Sequence, residues 1–160
     1  KAGGLQKKAV GLRQEMRAQA SKLPPSLEES TRAALRVGDG PGAERGLVIF
    51  FAALARDLAL EADRQLTDPR VALEARLLTA RKFLEAIWRY YNLIDFAVTQ
   101  REPKAAAAVR LAVDEAESLV KPAAAPAASN PDKVRGSLRQ IARILTGVIE
   151  AAPTSTRRDS

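Results

Sequence analysis

The chain has 160 residues, with 26 Lys and Arg against 19 Asp and Glu, a formal charge of +7, and neither cysteine nor histidine. That length suits a single domain whose core needs no staples, and the missing cysteines exclude disulfides and thiolate metal sites. Without histidine the chain lacks the usual general base near neutral pH, the commonest transition-metal ligand and the ordinary pH switch, so any catalysis would fall to Asp, Glu, Lys, Arg, Ser, Thr or Tyr.

Alanine is abundant while Gly and Pro fall in a few clusters, which favours helix over long stretches, and no strand-like alternation appears. The chain opens at Lys1 rather than a methionine, so the reading expects residues removed upstream, any targeting segment among them. The first helix is expected over Leu5–Lys22, where Leu5, Ala9, Leu12, Met16 and Ala20 recur on one face and Lys7, Lys8, Arg13 and Arg17 lie opposite. Pro24 and Pro25 stop it. Ser26 followed by Glu29 fits a capping box opening a short helix through Leu27, Ala34 and Leu35. GDGPG, Gly38 to Gly42, then reads as a loop. It is no phosphate cradle, because no strand precedes it and no Lys-Ser or Lys-Thr follows.

The next helix is expected over Gly42–Leu66, with Leu47, Phe50, Phe51, Leu54, Leu58, Ala62 and Leu66 on its apolar side. Its run GLVIFFAALA, 46–55, is about half of the roughly 20 residues that span a membrane, and reads as a buried segment. Asp68 then caps and Pro69 takes the first position of a long helix to Gln100. A break that short implies a helical hairpin or one long bent helix. Leu73, Leu77, Ala80, Leu84, Ile87, Tyr91, Ile94 and Val98 step by four and three over roughly four heptads, the period at which one helix keeps facing another. The predicted rod, about 45 Å long, is the spine of the fold. The only tryptophan and both tyrosines lie in it, and the spacing makes them core before it makes them a ligand pocket. Trp88 is off the seam, flanked by Arg81 and Arg89, and if exposed is an interface anchor. Glu85 and Arg89 form an i,i+4 pair.

After Arg101–Glu102–Pro103 an alanine-rich helix continues to Val120, with Val109, Val113, Ala116 and Val120 inward. Lys121 to Pro131 is a low-complexity linker. Asn130 and Pro131 open the last helix, which runs to Ala151 through Val134, Leu138, Ile141, Leu145 and Val148. The expected fold is all-α: an up-down-up-down four-helix bundle over 42–152, with a basic leading segment over 1–41 and a polar tail over 153–160.

The charge is uneven. Residues 1–46 carry nine Lys/Arg against five Asp/Glu, residues 131–160 six against three, and 47–130 eleven of each, so the whole +7 sits at the two ends. Lys7, Lys8, Arg13 and Arg17 with Lys133, Arg135, Arg139 and Arg143 are the candidate binding residues, and together with Trp88 the only site residues expected. Such a surface draws acidic protein faces, anionic membrane surfaces or phosphate backbones. Nucleic acid is the second choice, because the basic helices hold no aromatic residue to stack on bases. Asp57 with Glu61 and Asp114 with Glu117 share helix faces, but the di-metal bundle pattern needs histidine. These pairs read as solvated or salt-bridged, with Arg64 a partner for Glu61. No catalytic residue, metal or cofactor is expected.

The order of Arg89-Tyr90 in a long helix, a Pro/Lys break, a helix rich in Ala and acids, a Pro-containing linker and a basic terminal helix resembles the PsbQ family of lumenal photosystem II proteins over residues 85–152. The resemblance implies a small basic four-helix accessory subunit that docks on a photosynthetic membrane complex and stabilises it without catalysis. The expectation is therefore a structural subunit of an organellar assembly, in the plastid lumen (thylakoid) or a mitochondrion, soluble or peripheral, bound to an acidic docking surface of a larger protein complex.

Overall fold

The computed structural model describes residues 27–121 and 130–152. Lys7, Lys8, Arg13, Arg17 and the rest of the expected first helix lie outside them, as do Ser26, the body of the linker and the polar tail. Among the described residues the chain is all-helical: α1 is Leu27–Arg36, α2 Gly40–Gln65, α3 Leu73–Asn92, α4 Asp95–Arg101, α5 Pro103–Val120 and α6 Pro131–Ala151. Two compact units result, Lys1–Gly46 and Leu47–Ser160.

In the first unit, α1 buries Leu27 and Ala34 but leaves Leu35 exposed. It ends on Gly38, whose φ of 71° is the left-handed conformation glycine adopts at no steric cost. The Gly38 amide donates to the Leu35 carbonyl (3.3 Å) and the Asp39 amide to that of Ala34 (2.8 Å), the paired bonds that close a helix C-terminus. The expected GDGPG loop is shorter than its composition implies. Asp39 Oδ1 accepts from the Gly42 amide at 3.0 Å, so Asp39 caps α2, and Gly40, Pro41 and Gly42 are already helical.

The second unit is built on one core of fully buried residues drawn from every helix. Along α2 the buried seam is Val48, Ala52, Ala55, Ala59, Ala62 and Leu66, again in steps of four and three. Of the expected face of α2, Leu54, Ala62 and Leu66 are buried as predicted, but the rest is not. Leu47 is 49% exposed, and Phe51 and Leu58 only flank the core.

The long helix differs from expectation at both ends of its seam. It begins at Leu73, not Pro69. Asp68 turns back on the chain instead of capping, Oδ1 accepting from the Arg70 amide and from Arg70 Nε, each at 3.0 Å. These two bonds hold the Asp68 carboxyl down at about 2. Arg76 Nη1 donates to the Leu66 carbonyl at 2.7 Å, tying the start of α3 to the end of α2. Leu73 is 39% exposed, whereas Leu77 through Val98 are buried as the seam requires.

The rod is not straight. It breaks at Leu93–Ile94, where the Leu93 and Ile94 amides donate three residues back to Tyr90 and Tyr91 (3.2 and 2.9 Å). No Gly or Pro causes this. Asp95, first residue of α4, is gripped by Arg110 of α5 through Nη2 at 2.7 Å and Nε at 3.1 Å. The same Arg110 donates to Thr99 Oγ1 (2.8 Å), which donates to the Asp95 carbonyl (2.7 Å). A corner closed by these bonds replaces one continuous turn. Glu85 faces Arg81 at 3.9 Å rather than forming the expected pair with Arg89.

α5 and α6 follow the sequence reading closely. Ala106, Val109, Ala112, Val113, Ala116 and Val120 line the inner side of α5, and α5 packs on α3, α4 and most extensively on α6. Asn130 caps α6, its Oδ1 accepting from the amides of Asp132 (3.0 Å) and Lys133 (3.4 Å).

Candidate functional site

The inner stripe of α6, with Val134, Leu138, Ile141 and Leu145 fully buried, fixes the rotation of that helix and hence where its four cationic residues point. Lys133, Arg139 and Arg143 are exposed, and Arg135 lies on the shoulder between core and solvent. They are not equivalent. Asp63 of α2 accepts from Arg135 Nε through Oδ1 at 2.8 Å and from Arg139 Nε through Oδ2 at 3.1 Å. Its carboxylate, with a side chain 15% exposed, thus spans two arginines one helical turn apart. Asp132 stands 3.9 Å from Arg135 on the other side. Arg143 makes no ion pair among the described residues; its Nη1 donates to Gln140 Oε1 at 2.8 Å.

The candidate basic surface on α6 is accordingly smaller than its formal charge suggests. Arg135 serves mainly to hold α6 against α2, Arg139 is divided between that task and solvent, and Lys133 and Arg143 are turned outward. Sequence reasoning missed Asp63. It lies 72 residues from Arg135, and on its own helix nothing but its position beside the Ala59–Ala62 seam marks it as inward-leaning.

Trp88 is half-buried and packs on the core, its ring centroid 6.0 Å from that of Tyr91. It is a wall of the core with one edge toward solvent, not a free anchor. Phe51 stacks on Tyr90 at 6.2 Å, so the aromatic group does widen the helical core as its spacing predicts. A small cavity of about 30 Å³ lies away from Trp88, among Val48, Ala97, Val98, Arg101, Glu102, Val148, Ala151 and Ala152; it has room for about one water molecule.

Of the two carboxylate pairs, Asp57 and Glu61 meet arginine, whereas Asp114 is exposed and Glu117 half-buried. Glu61 is bridged by Arg64, whose Nε lies 2.8 Å from Oε2, and also accepts from Gln65; Asp57 pairs with Arg56 at 3.1 Å. Among the described residues no cluster of three acidic side chains has the placement of a metal site, and no helix is long and apolar enough to cross a membrane. Among the described residues two buried polar atoms, Arg76 Nε and the Tyr91 hydroxyl, lack a partner within hydrogen-bond geometry. Burial first, and the neighbouring Asp95 carboxylate second, push the pKa of Tyr91 well above the ordinary phenol value. Comparison with protein-family models, curated proteins and solved structures finds no match.

Proposed function

We propose that this chain is a non-catalytic accessory subunit, an up-down-up-down four-helix bundle with a basic leading helix, that docks on a larger membrane-associated complex of an organelle and stabilises it. The principal helices are α2, α3 continued by α4, α5 and α6. The observation that carries the reading is the placement of charge: the whole net +7 belongs to residues 1–46 and 131–160, while the middle is neutral. In α6, Lys133, Arg139 and Arg143 put part of that charge in solvent. A localised positive surface steers and orients an acidic partner more than it contributes raw affinity. The resemblance of residues 85–152 to the PsbQ family makes a photosynthetic membrane complex the first partner to try.

Gentle isolation of the native protein, with its co-purifying chains identified, is the direct test. Reversing Lys7, Lys8, Arg13 and Arg17 to glutamate is expected to abolish co-purification while leaving helicity intact. Unchanged co-purification would remove the leading segment from the docking surface. Phosphate-backbone binding by the same cations is the second reading, supported by the same charge. Salt-sensitive retention on duplex or single-stranded nucleic acid would favour it; no retention at low salt removes it.

A further inference from the structure

We infer that the exposed side of α6 between Gly136 and Gly147 is a docking face for an acidic segment of a partner protein, whose carboxylate is received by Arg139 and Arg143. This rests on the docking reading above and gives one of its surfaces a defined chemistry.

The chain supplies its own precedent. Arg135 and Arg139, four residues apart, share the Asp63 carboxylate at 2.8 and 3.1 Å. Arg139 and Arg143 repeat that spacing one turn on, where i,i+4 side chains are again neighbours. No acid of the described residues fills this second pair. Asp63 engages Arg139 only through Nε, leaving the outer nitrogens of a side chain that is 52% exposed. Arg143 commits only Nη1, to Gln140. Guanidinium forks left in this state match a carboxylate in geometry and charge.

Two glycines on the same side give a second, independent observation. Gly136 and Gly147 are eleven residues apart, about three helical turns, so they lie on nearly one line. A Cβ at either would meet nothing within 4 Å. Glycine inside a helix is unfavourable relative to alanine, and no packing within the described chain calls for it at either place. Close approach of another backbone would.

The ends of the stripe decide between partner classes. Asp132 lies beside Arg135, and Glu150 is exposed two turns beyond Arg143. Asp132, Asp63 and Glu150 thus interrupt the row of cations formed by Lys133, Arg135, Arg139 and Arg143. A phosphate backbone gains with each further cation along its track and so loses by these interruptions; a single carboxylate, which Arg139 and Arg143 can receive by themselves, does not.

The test is titration of the full chain against fluorescent poly-L-glutamate at low ionic strength, with circular dichroism confirming the fold of each variant. Arg143→Gln is expected to weaken binding about fivefold. Lys82→Gln removes the same charge from an exposed position on α3 and is expected to change it less than about twofold. The Gly136→Ala, Gly147→Ala double variant is expected to melt higher yet bind more weakly, a combination that general electrostatics does not produce. Equal losses in Arg143→Gln and Lys82→Gln, or unimpaired binding by the glycine variant, would overturn the inference while leaving basic docking standing. So would Arg143-dependent binding of an oligonucleotide with none of poly-L-glutamate, which would reassign the face to phosphate. If the unmodified chain binds neither polyanion nor anionic vesicles, the docking reading itself fails.

Discussion

Replacing Tyr91 by phenylalanine removes a single oxygen from the centre of the core. The ring is fully buried and its contact with Trp88 at 6.0 Å survives the change. Among the described residues the hydroxyl, though near the Asp95 carboxylate, has no partner within hydrogen-bond geometry, and a buried polar group in that condition carries a desolvation cost of about 1–3 kcal/mol. Against this stands the void left by the oxygen. At about 24 cal/mol per Å³ and roughly 10 Å³, that void costs about 0.2 kcal/mol. Tyr91→Phe is therefore expected to stabilise the fold by about 1 kcal/mol and to raise the melting temperature by about 2–4 °C.

The pH dependence supplies a second readout. The folded pKa of Tyr91 is raised above its ordinary value of 10.0, so above that pH the unfolded chain releases a proton that the folded chain still holds. The stability linked to this group is complete below about 10 and is lost as pH rises toward the folded value. The advantage of Tyr91→Phe should accordingly widen on the alkaline side. Urea unfolding at neutral pH and at several alkaline values, followed by circular dichroism, measures both effects. A loss of more than about 1 kcal/mol at neutral pH, the worth of an ordinary hydrogen bond, would show that the hydroxyl is bonded after all. Parallel alkaline limbs would show that Tyr91 does not titrate as its burial demands.

Two glycine substitutions should differ in sign. Gly46→Ala drives a methyl into Thr31 Oγ1, whose hydroxyl donates to the Leu27 carbonyl at 2.7 Å, and is expected to loosen α1, seen as faster amide exchange over Leu27–Arg36. Gly136→Ala meets open space and should stabilise by about 0.5–1 kcal/mol in thermal unfolding. Ala59→Leu overfills a fully buried position of the α2 seam and is expected to cost about 1–3 kcal/mol in urea; no loss would mean that α2 faces the core with another side. Asp63→Asn releases Arg135 and Arg139 and should destabilise by about 1 kcal/mol at low salt, less as salt rises, because the trio is partly solvated.

The parts of the fold written in local spacing were legible. Tyr91, Ile94 and Val98 are buried as the heptad steps require, and Asn130 caps α6 where the cap-then-proline order places it. The α2 seam was misread for a physical reason: size was taken as the mark of the inner face, whereas Ala52, Ala55 and Ala59 are wholly buried and Leu47 is not. The corner at Leu93–Ile94 left no signal because no Gly or Pro marks it, and the Arg110 that bonds Asp95 there belongs to another helix, 15 residues beyond. The same holds for the candidate site. The cations were visible at once, but the acid that sorts them is on α2.

Asp63 makes a charge count a poor guide to recognition in this molecule. It subtracts one charge from the α6 stripe, which weakens the long-range field available to draw a partner in. It also holds Arg139 by Nε alone, fixing a side chain whose conformational freedom would otherwise have to be surrendered on binding. A surface arranged in this way gives up encounter rate and gains orientation. That balance is what the docking proposed above would use, and it would serve a protein that follows any polyanion less well.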